Sequence, residues 1–231
     1  MDTKKSTYHL FYATSFLTLI VTIFAKDLVI YFKPPVIISL GILYLVNAEH
    51  RNFGVILSLI LIIICEVLFL QDYLGNFELL HILFSCYYLL NIILLWKSLK
   101  VIKIQFKKVV TLQLIVSMLL IGYVLYTVAH LILPQVNDHV VVLIVLIFFF
   151  AVFIGVCYYI YLNSKTVVSY SLMVAASCFL IVNIVTALNR LYIYLEIFPV
   201  ITTVLQICGQ FFLIKFFIER HKLMPNNEEY F

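Results

Sequence analysis

The stretch from Phe53 to Gln71, FGVILSLILIIICEVLFLQ, decides the fold of this chain. Glu66 is its only charged residue, and its length is close to the roughly 20 residues that a helix needs to cross the hydrocarbon core of a bilayer. Such a run is too long for one buried strand and too apolar for a helix at the surface of a soluble domain. It therefore predicts a transmembrane helix that carries one carboxyl group.

The composition of the whole chain has the same character as this stretch. Of its 231 residues, 65% are hydrophobic and 11% are charged, whereas about a quarter of the residues in a soluble domain carry charge. The composition therefore predicts an integral membrane protein and excludes an ordinary soluble domain.

Charged and turn-forming residues divide the chain into eight apolar segments. The segments are roughly 8–25, 28–47, 53–71, 77–96, 109–133, 139–162, 166–188 and 192–218. No strand-like alternation persists, so a transmembrane barrel is not expected. We predict an all-α fold, a polytopic membrane helix bundle of about eight transmembrane helices that forms one integral membrane domain over residues 1–231.

The basic residues predict how the segments are oriented. If the N-terminus is cytoplasmic, twelve of the fifteen Lys and Arg residues lie on the cytoplasmic side, Lys26 and Arg190 lie outside, and Lys33 lies within the second segment. Cytoplasmic loops are enriched in Lys and Arg, so both termini are predicted to be cytoplasmic. Anionic lipid headgroups account for the basic loop between the fourth and fifth segments, and no nucleic-acid partner is predicted.

Several polar side chains fall in the half of the bilayer that this orientation places outside. Lys33, Glu66 and Asn183 each lie about five residues, or roughly 8 Å, from the outer ends of their segments. His81 and Arg190 lie closer still to that side. Because a charged side chain inside the hydrocarbon costs about 2.5–3.5 kcal/mol, it is expected to have a partner or to face a wet cavity.

Lys33 and Glu66 are the expected partners. Two interpretations of this pair are open: an ion pair that fixes helix packing, or part of a polar pocket that opens toward the outer leaflet. Pro34 and Pro35 follow Lys33 directly. Since a proline lacks the backbone donor and its ring clashes with the preceding turn, the second helix is predicted to kink or to begin late there.

Other polar residues have simpler interpretations. Gln206 and Gln210 are predicted to link helices through hydrogen bonds. Tyr87 and Tyr88 fall toward the inner half of the fourth segment, where an aromatic belt at the membrane interface is the expected role.

The second, third and seventh segments resemble motifs of the YhhN and TMEM86 group, multi-span membrane proteins whose characterised members are lysoplasmalogenases. That family has Lys-Pro in its second span, matched by Lys33 and Pro34, and two related motifs that each contain an aspartate. The stretch SLILIIICEVL places Glu66 at the first aspartate, and AASCFLIVNIVTALNRL places Asn183 at the second and matches the family's Ala-Leu-Asn-Arg. Gln210 matches a glutamine near the end of the last span.

The resemblance covers nearly the whole chain in segment order, with two departures from the family pattern. Asn183 cannot ionise, whereas Glu66 keeps a carboxylate. The histidine of the family's fourth span aligns roughly with Tyr88, and His81 falls about two turns earlier. The two motifs lie four segments apart, so the resemblance also implies a parallel repeat of two four-span halves with a pocket at their interface.

The resemblance implies hydrolysis of the vinyl ether of a lysoplasmalogen to a fatty aldehyde and a glycerophospho head group. The candidate catalytic residues are Glu66 and Asn183, and the candidate substrate-binding residues are Lys33, Arg190, His81 and Gln210. Protonating the enol ether carbon requires an acid that holds its proton near neutral pH, which burial favours for a carboxyl group. Lys33 next to Glu66 would oppose that role, whereas Lys33 and Arg190 bound to a substrate phosphate would leave Glu66 free to carry the proton.

A non-catalytic membrane protein of the same fold, which binds a lipid or an amphiphile, is the alternative that Asn183 favours. A transporter ranks last because the inner halves of the segments hold few ionisable groups. The sequence has no metal-ligand spacing, no G-x-S-x-G elbow and no phosphate-binding glycine loop, so no metal and no cofactor is predicted. The predicted partner is a membrane lipid of the lysophospholipid class.

Overall fold

Long apolar sequences form helices in the computed structural model, which describes residues 3–101 and 139–223 and the isolated positions 119, 122, 123, 126, 127, 130 and 131. The long helices are α1 (Thr3–Phe24), α2 (Val29–Asn47), α3 (Phe53–Gln71), α4 (Phe77–Val101), α5 (Val140–Ser164), α6 (Val167–Leu191) and α7 (Phe198–Glu219). Each is long and apolar enough to cross a membrane. The described residues contain no strand, which confirms the all-α class for them.

Polar residues at helix ends supply backbone partners that the helices themselves lack. The Asn52 side-chain oxygen accepts a hydrogen bond from the Gly54 N–H at 2.8 Å, just where α3 begins. Thr166 and Ser169 form a capping box at the start of α6. Lys165, with φ 47°, adopts the left-handed conformation between α5 and α6. These caps explain how short connections can end one helix and begin the next.

The long helices match seven of the eight predicted segments, whereas the segment 109–133 falls mostly outside the described residues. The start of the last segment needs a correction. The sequence predicts a helix from residue 192, but α7 begins at Phe198. The Asn189 Oδ1 accepts a hydrogen bond from the Leu195 N–H at 2.8 Å and stabilises a turn instead. Pro199 then occupies the first turn of α7, where its missing N–H removes no helical hydrogen bond.

The prolines do not delay the start of α2. This helix begins at Val29 and runs through Pro34 and Pro35, so the predicted late start is wrong. Carbonyl groups in the first turn lose donors because neither proline has an N–H. Nearby, the Thr18 hydroxyl of α1 donates to the Phe32 carbonyl at 2.9 Å. A neighbouring helix thus supports the backbone next to the prolines.

Neighbouring helices α4 and α5 run in the same direction. The ring of Phe77, at the start of α4, lies 5.4 Å from the ring of His139, which precedes α5. Farther along both helices, the ring of Tyr88 lies 5.1 Å from that of Phe150. The helices α2, α4, α5 and α7 all begin at one end of the bundle, which we call the pocket end.

Apolar side chains fill the centre of the bundle and also cover its outside. Tyr44, Phe153, Phe216 and Phe217 are fully buried, whereas Val141 is 74% exposed. Exposed apolar side chains on helices whose backbone groups bond within the helix are expected where lipid surrounds a protein. The structure therefore agrees with the multi-pass membrane class.

Candidate functional site

A cavity of about 150 Å³ lies between α3, α4, α5, α6 and α7 near the pocket end, with Lys33 of α2 at its side. Lining residues on α6 extend from Leu191 to Phe179, a length of roughly 18 Å at 1.5 Å per residue. The apolar lining comes mainly from α5 and α6, with Leu143, Ile147, Phe150, Val182 and Ala187. The cavity therefore offers a long apolar surface inside the bundle.

Three side chains from α2, α3 and α7 form one hydrogen-bonded group beside this cavity, which we call the polar triad. The Lys33 Nζ donates to Glu66 Oε2 at 2.8 Å and to Gln206 Oε1 at 3.1 Å. The Gln206 Nε2 donates to Glu66 Oε1. The Lys33 and Glu66 side chains are only 12% and 5% exposed. The expected ion pair is present, and Gln206 bonds to both of its members.

Both carboxylate oxygens of Glu66 have a hydrogen-bond donor beside them. One carboxylate oxygen accepts from a cation and the other from an amide. A buried charge is stable only when it is paired and hydrogen-bonded, and both conditions are met here. Of the two arrangements that the sequence leaves open, this is the one in which Lys33 opposes a role of Glu66 as proton donor.

Asn183 of α6 lines the cavity and bonds to α4. Its Nδ2 donates to the Tyr88 hydroxyl at 2.9 Å and to the Phe179 carbonyl at 2.8 Å. These two bonds use both amide hydrogens, and no described residue bonds to Oδ1. Because an amide nitrogen cannot accept, Tyr88 keeps its own hydroxyl hydrogen for another acceptor. Asn183 and Tyr88 together therefore present one free acceptor and one free donor.

Gln210 of α7 has a similar contact with α4. Its Nε2 donates to the Tyr87 hydroxyl at 3.1 Å. Tyr87 and Tyr88 are 1% and 3% exposed, so the predicted role of these two residues in an interfacial aromatic belt is wrong. Each hydroxyl group accepts a hydrogen bond from an amide of α6 or α7, which helps both tyrosines to be buried.

His81 of α4 also lines the cavity, nearer the pocket end, and is 5% exposed. Its Nδ1 lies 2.6 Å from the Phe77 carbonyl oxygen. The two rings stack with their centroids 3.9 Å apart. These contacts hold the imidazole in one orientation.

Arg190 is the one predicted site residue that does not line this cavity. It lines an adjoining pocket at the pocket end, together with Lys26 and Lys33, and no carboxylate of the described residues lines that pocket. The Arg190 guanidinium carbon lies 4.8 Å from the centroid of the Phe69 ring. In the nearby turn between α3 and α4, burial raises the pKa of Tyr73 to about 12, so this phenol stays protonated and adds no negative charge.

Five of the six predicted site residues therefore line one cavity: Lys33, Glu66, His81, Asn183 and Gln210. The sequence interpretation gives Gln206 only a packing role and misses its contacts with the ion pair. The signal that could have found it is spacing, because residues four apart lie on the same face of a helix and Gln206 precedes Gln210 by four.

Comparison of the chain with protein-family models, with curated proteins and with solved structures finds no match. The resemblance to lysoplasmalogenases therefore remains an expectation from short motifs.

Proposed function

We propose that this chain is a multi-pass membrane protein that binds a single-chain lipid amphiphile in the cavity near the pocket end. The observation that carries the proposal is the composition of the cavity, which combines an apolar lining from α5 and α6 with the polar triad at its side. Small-molecule sites have this combination of an apolar lining with a few fixed polar groups. A lipid of the surrounding bilayer has matching chemistry.

The adjoining pocket extends the site toward a lipid headgroup. Lys33 is bonded to Glu66 and the Lys26 Nζ lies 3.7 Å from the exposed Glu196 carboxylate, so Arg190 is the first cation that a phosphate group would meet there, with Lys26 beside it. A guanidinium group binds phosphate oxygens through charge-assisted hydrogen bonds. The ligand class that fits both pockets is a lysophospholipid.

Filling the cavity tests the binding proposal. Ile147 lines the cavity, whereas Ile144 on the same helix is 55% exposed. We expect the purified protein in detergent to bind lysophosphatidylcholine saturably, Ile147→Trp to reduce the affinity at least tenfold, and the matched Ile144→Trp to bind like the wild type. Equal binding by both variants would place the ligand elsewhere.

A second candidate function, hydrolysis of a lysoplasmalogen, is favoured by the presence of Glu66 and Asn183 in one cavity. In this mechanism a substrate phosphate draws Lys33 away, and Glu66 takes up a proton and transfers it to the enol ether carbon. Asn183 Oδ1 orients a water that adds to the resulting oxocarbenium ion and gives a proton back to the Glu66 carboxylate. The hemiacetal then breaks down to a fatty aldehyde and the glycerophospho alcohol.

Aldehyde release separates the two candidates. Purified protein is incubated with lysoplasmenyl-ethanolamine, with Glu66→Gln as the control for a contaminating hydrolase. Release by the wild type that Glu66→Gln abolishes supports hydrolysis. Saturable binding without aldehyde supports the binding function alone.

The proposal includes the complete topology: eight spans, both termini cytoplasmic, and two four-span repeats. Its support is the parallel direction of α4 and α5, since a chain that leaves α4 at one face of the membrane must return to the other face before α5 begins. The distribution of Lys and Arg supports the cytoplasmic termini.

A further inference from the structure

The hydrogen-bonding role of each nitrogen of His81 follows from its surroundings. A carbonyl oxygen can only accept, so the 2.6 Å contact with the Phe77 carbonyl requires the hydrogen to be on Nδ1. A second hydrogen on Nε2 would make the ring a cation at 5% exposure, and none of the residues that the structure describes brings a carboxylate to it. The nearby Glu78 bonds to His139 instead, at 2.7 Å. The buried ring is therefore neutral, and Nε2 is an acceptor.

This acceptor has no donor within the protein as described. His81 lines the cavity, and none of the described residues donates a hydrogen bond to its Nε2. Stacking on Phe77 at 3.9 Å keeps the ring from turning toward another partner. His81 lines a mostly apolar cavity that a ligand can enter, so a ligand that brings a donor to this acceptor gains a hydrogen bond and with it affinity.

The charges around the cavity identify the kind of donor. Lys33 and Glu66 neutralise each other at 2.8 Å, and no other carboxylate of the described residues lines the cavity. An ammonium group at His81 would be an unpaired buried charge, whereas a hydroxyl group donates without one. We infer that His81 determines specificity by accepting a hydrogen bond from a free hydroxyl group of the bound lipid. The inference rests on the proposed binding function.

A single-chain glycerolipid carries such a hydroxyl next to its acyl chain. When that hydroxyl is acylated or alkylated, the donor is lost and Nε2 stays unpaired. His81 therefore makes the site select lipids with a free glycerol hydroxyl over those in which this oxygen is blocked.

The test uses two probes that differ in this hydroxyl alone. Lysophosphatidylcholine has no other hydrogen-bond donor, and its 2-O-methyl ether has none. We expect the wild type to bind the free alcohol about tenfold more tightly than the ether, as one neutral hydrogen bond predicts. His81→Phe keeps a ring that can stack on Phe77 but loses the acceptor, so it should bind both probes equally. His81→Gln, with an oxygen near the position of Nε2, should recover part of the preference.

The outcomes separate the inference from the proposed function. Equal binding of both probes by the wild type, or an unchanged preference in His81→Phe, would overturn the inference and leave the binding function in place. Binding of neither probe would overturn both. His50→Phe, in the connection between α2 and α3, serves as the control and should keep the wild-type preference.

Discussion

Glu66 shows how a carboxylate can be accommodated inside an otherwise apolar helix. Its two oxygens are bonded to Lys33 of α2 and Gln206 of α7, so three helices meet at one charge. The cost of a lone charge in the hydrocarbon predicts that a partner exists, and Lys33 can be named from its depth alone. Gln206 could not be predicted in this way, because an amide in an apolar helix is neutral and requires no counter-charge.

Removing Lys33 should reveal this dependence. In Lys33→Met the carboxylate remains buried without its cation, and the free energy of unfolding should fall by about 3 kcal/mol. The double variant Lys33→Met with Glu66→Leu should recover most of that loss, because no charge remains. Lys26→Met is the control, since the Lys26 side chain is 46% exposed. Denaturant unfolding in detergent micelles measures all four proteins, and an unaltered single variant would indicate that water reaches Glu66.

Asn183→Asp tests whether a missing second carboxylate limits hydrolysis. An aspartate at 183 cannot donate to Tyr88 or to the Phe179 carbonyl as Asn183 does, so a stability loss of about 1–3 kcal/mol is expected. Its charge would stabilise the oxocarbenium ion, and aldehyde release should rise at least about tenfold. Asn183→Ala removes the same hydrogen bonds without adding charge and should show no rise. A folded Asn183→Asp protein without a gain would count against a two-carboxylate mechanism.

Helices α6 and α7, which both carry site residues, approach each other closely at Gly209. A Cβ atom added to Gly209 would lie 3.1 Å from the Phe179 ring and 3.2 Å from the Cys178 Cβ. Glycine therefore sets the separation of the two helices, as small residues do between transmembrane helices. Phe179 belongs to the cavity lining, so this packing also positions the lower part of the site.

Gly209→Leu should separate α6 from α7. The added side chain meets a ring and a backbone-attached carbon rather than a flexible end, and overpacking of this kind costs about 1–3 kcal/mol. We expect a lower unfolding midpoint together with weaker lysophosphatidylcholine binding. Gly155→Ala is the comparison, because no described atom lies within 4 Å of a Cβ added there. A Gly209→Leu protein with wild-type stability would show that the helices can move apart without loss.

The sequence predicts that each described helix exists more accurately than it predicts the residues at which the helix begins and ends. Continuous apolar character identifies each described span, but Tyr192 to Ile197 are almost as apolar as the helix that follows. Hydrogen bonds that the apolar pattern does not reveal distinguish that turn from α7, among them those from the Leu195 N–H to Asn189 Oδ1 and from the Phe198 N–H to the Leu195 carbonyl. The expected place of Tyr87 and Tyr88 at a membrane interface is wrong for a related reason. The sequence indicates how deep a residue lies along a helix, but the direction in which each ring points depends on the packing of α4 against α6 and α7.

Across the whole molecule, the position of the cavity depends on parallel packing. Because α4 and α5 start at the same end, the first turns of both helices line the site, with His81 on one and Leu143 on the other. If α5 followed α4 directly and ran antiparallel to it, the C-terminal end of α5 would line the cavity instead. The position of the cavity and the proposed eight-span topology therefore depend on the same feature, a membrane crossing between α4 and α5.

Cysteine labelling in intact cells tests this topology. Arg51 lies between α2 and α3, Lys165 lies between α5 and α6, and Glu196 precedes α7. With a membrane crossing between α4 and α5, and a cytoplasmic N-terminus, a membrane-impermeant maleimide should label Glu196→Cys from outside and Arg51→Cys and Lys165→Cys only after permeabilisation. The wild-type chain, whose five cysteines lie within helices, gives the background. Without that crossing α5 would run outward, so Lys165→Cys would be labelled from outside and Glu196→Cys would be protected, which is the reverse of the expected result at both positions.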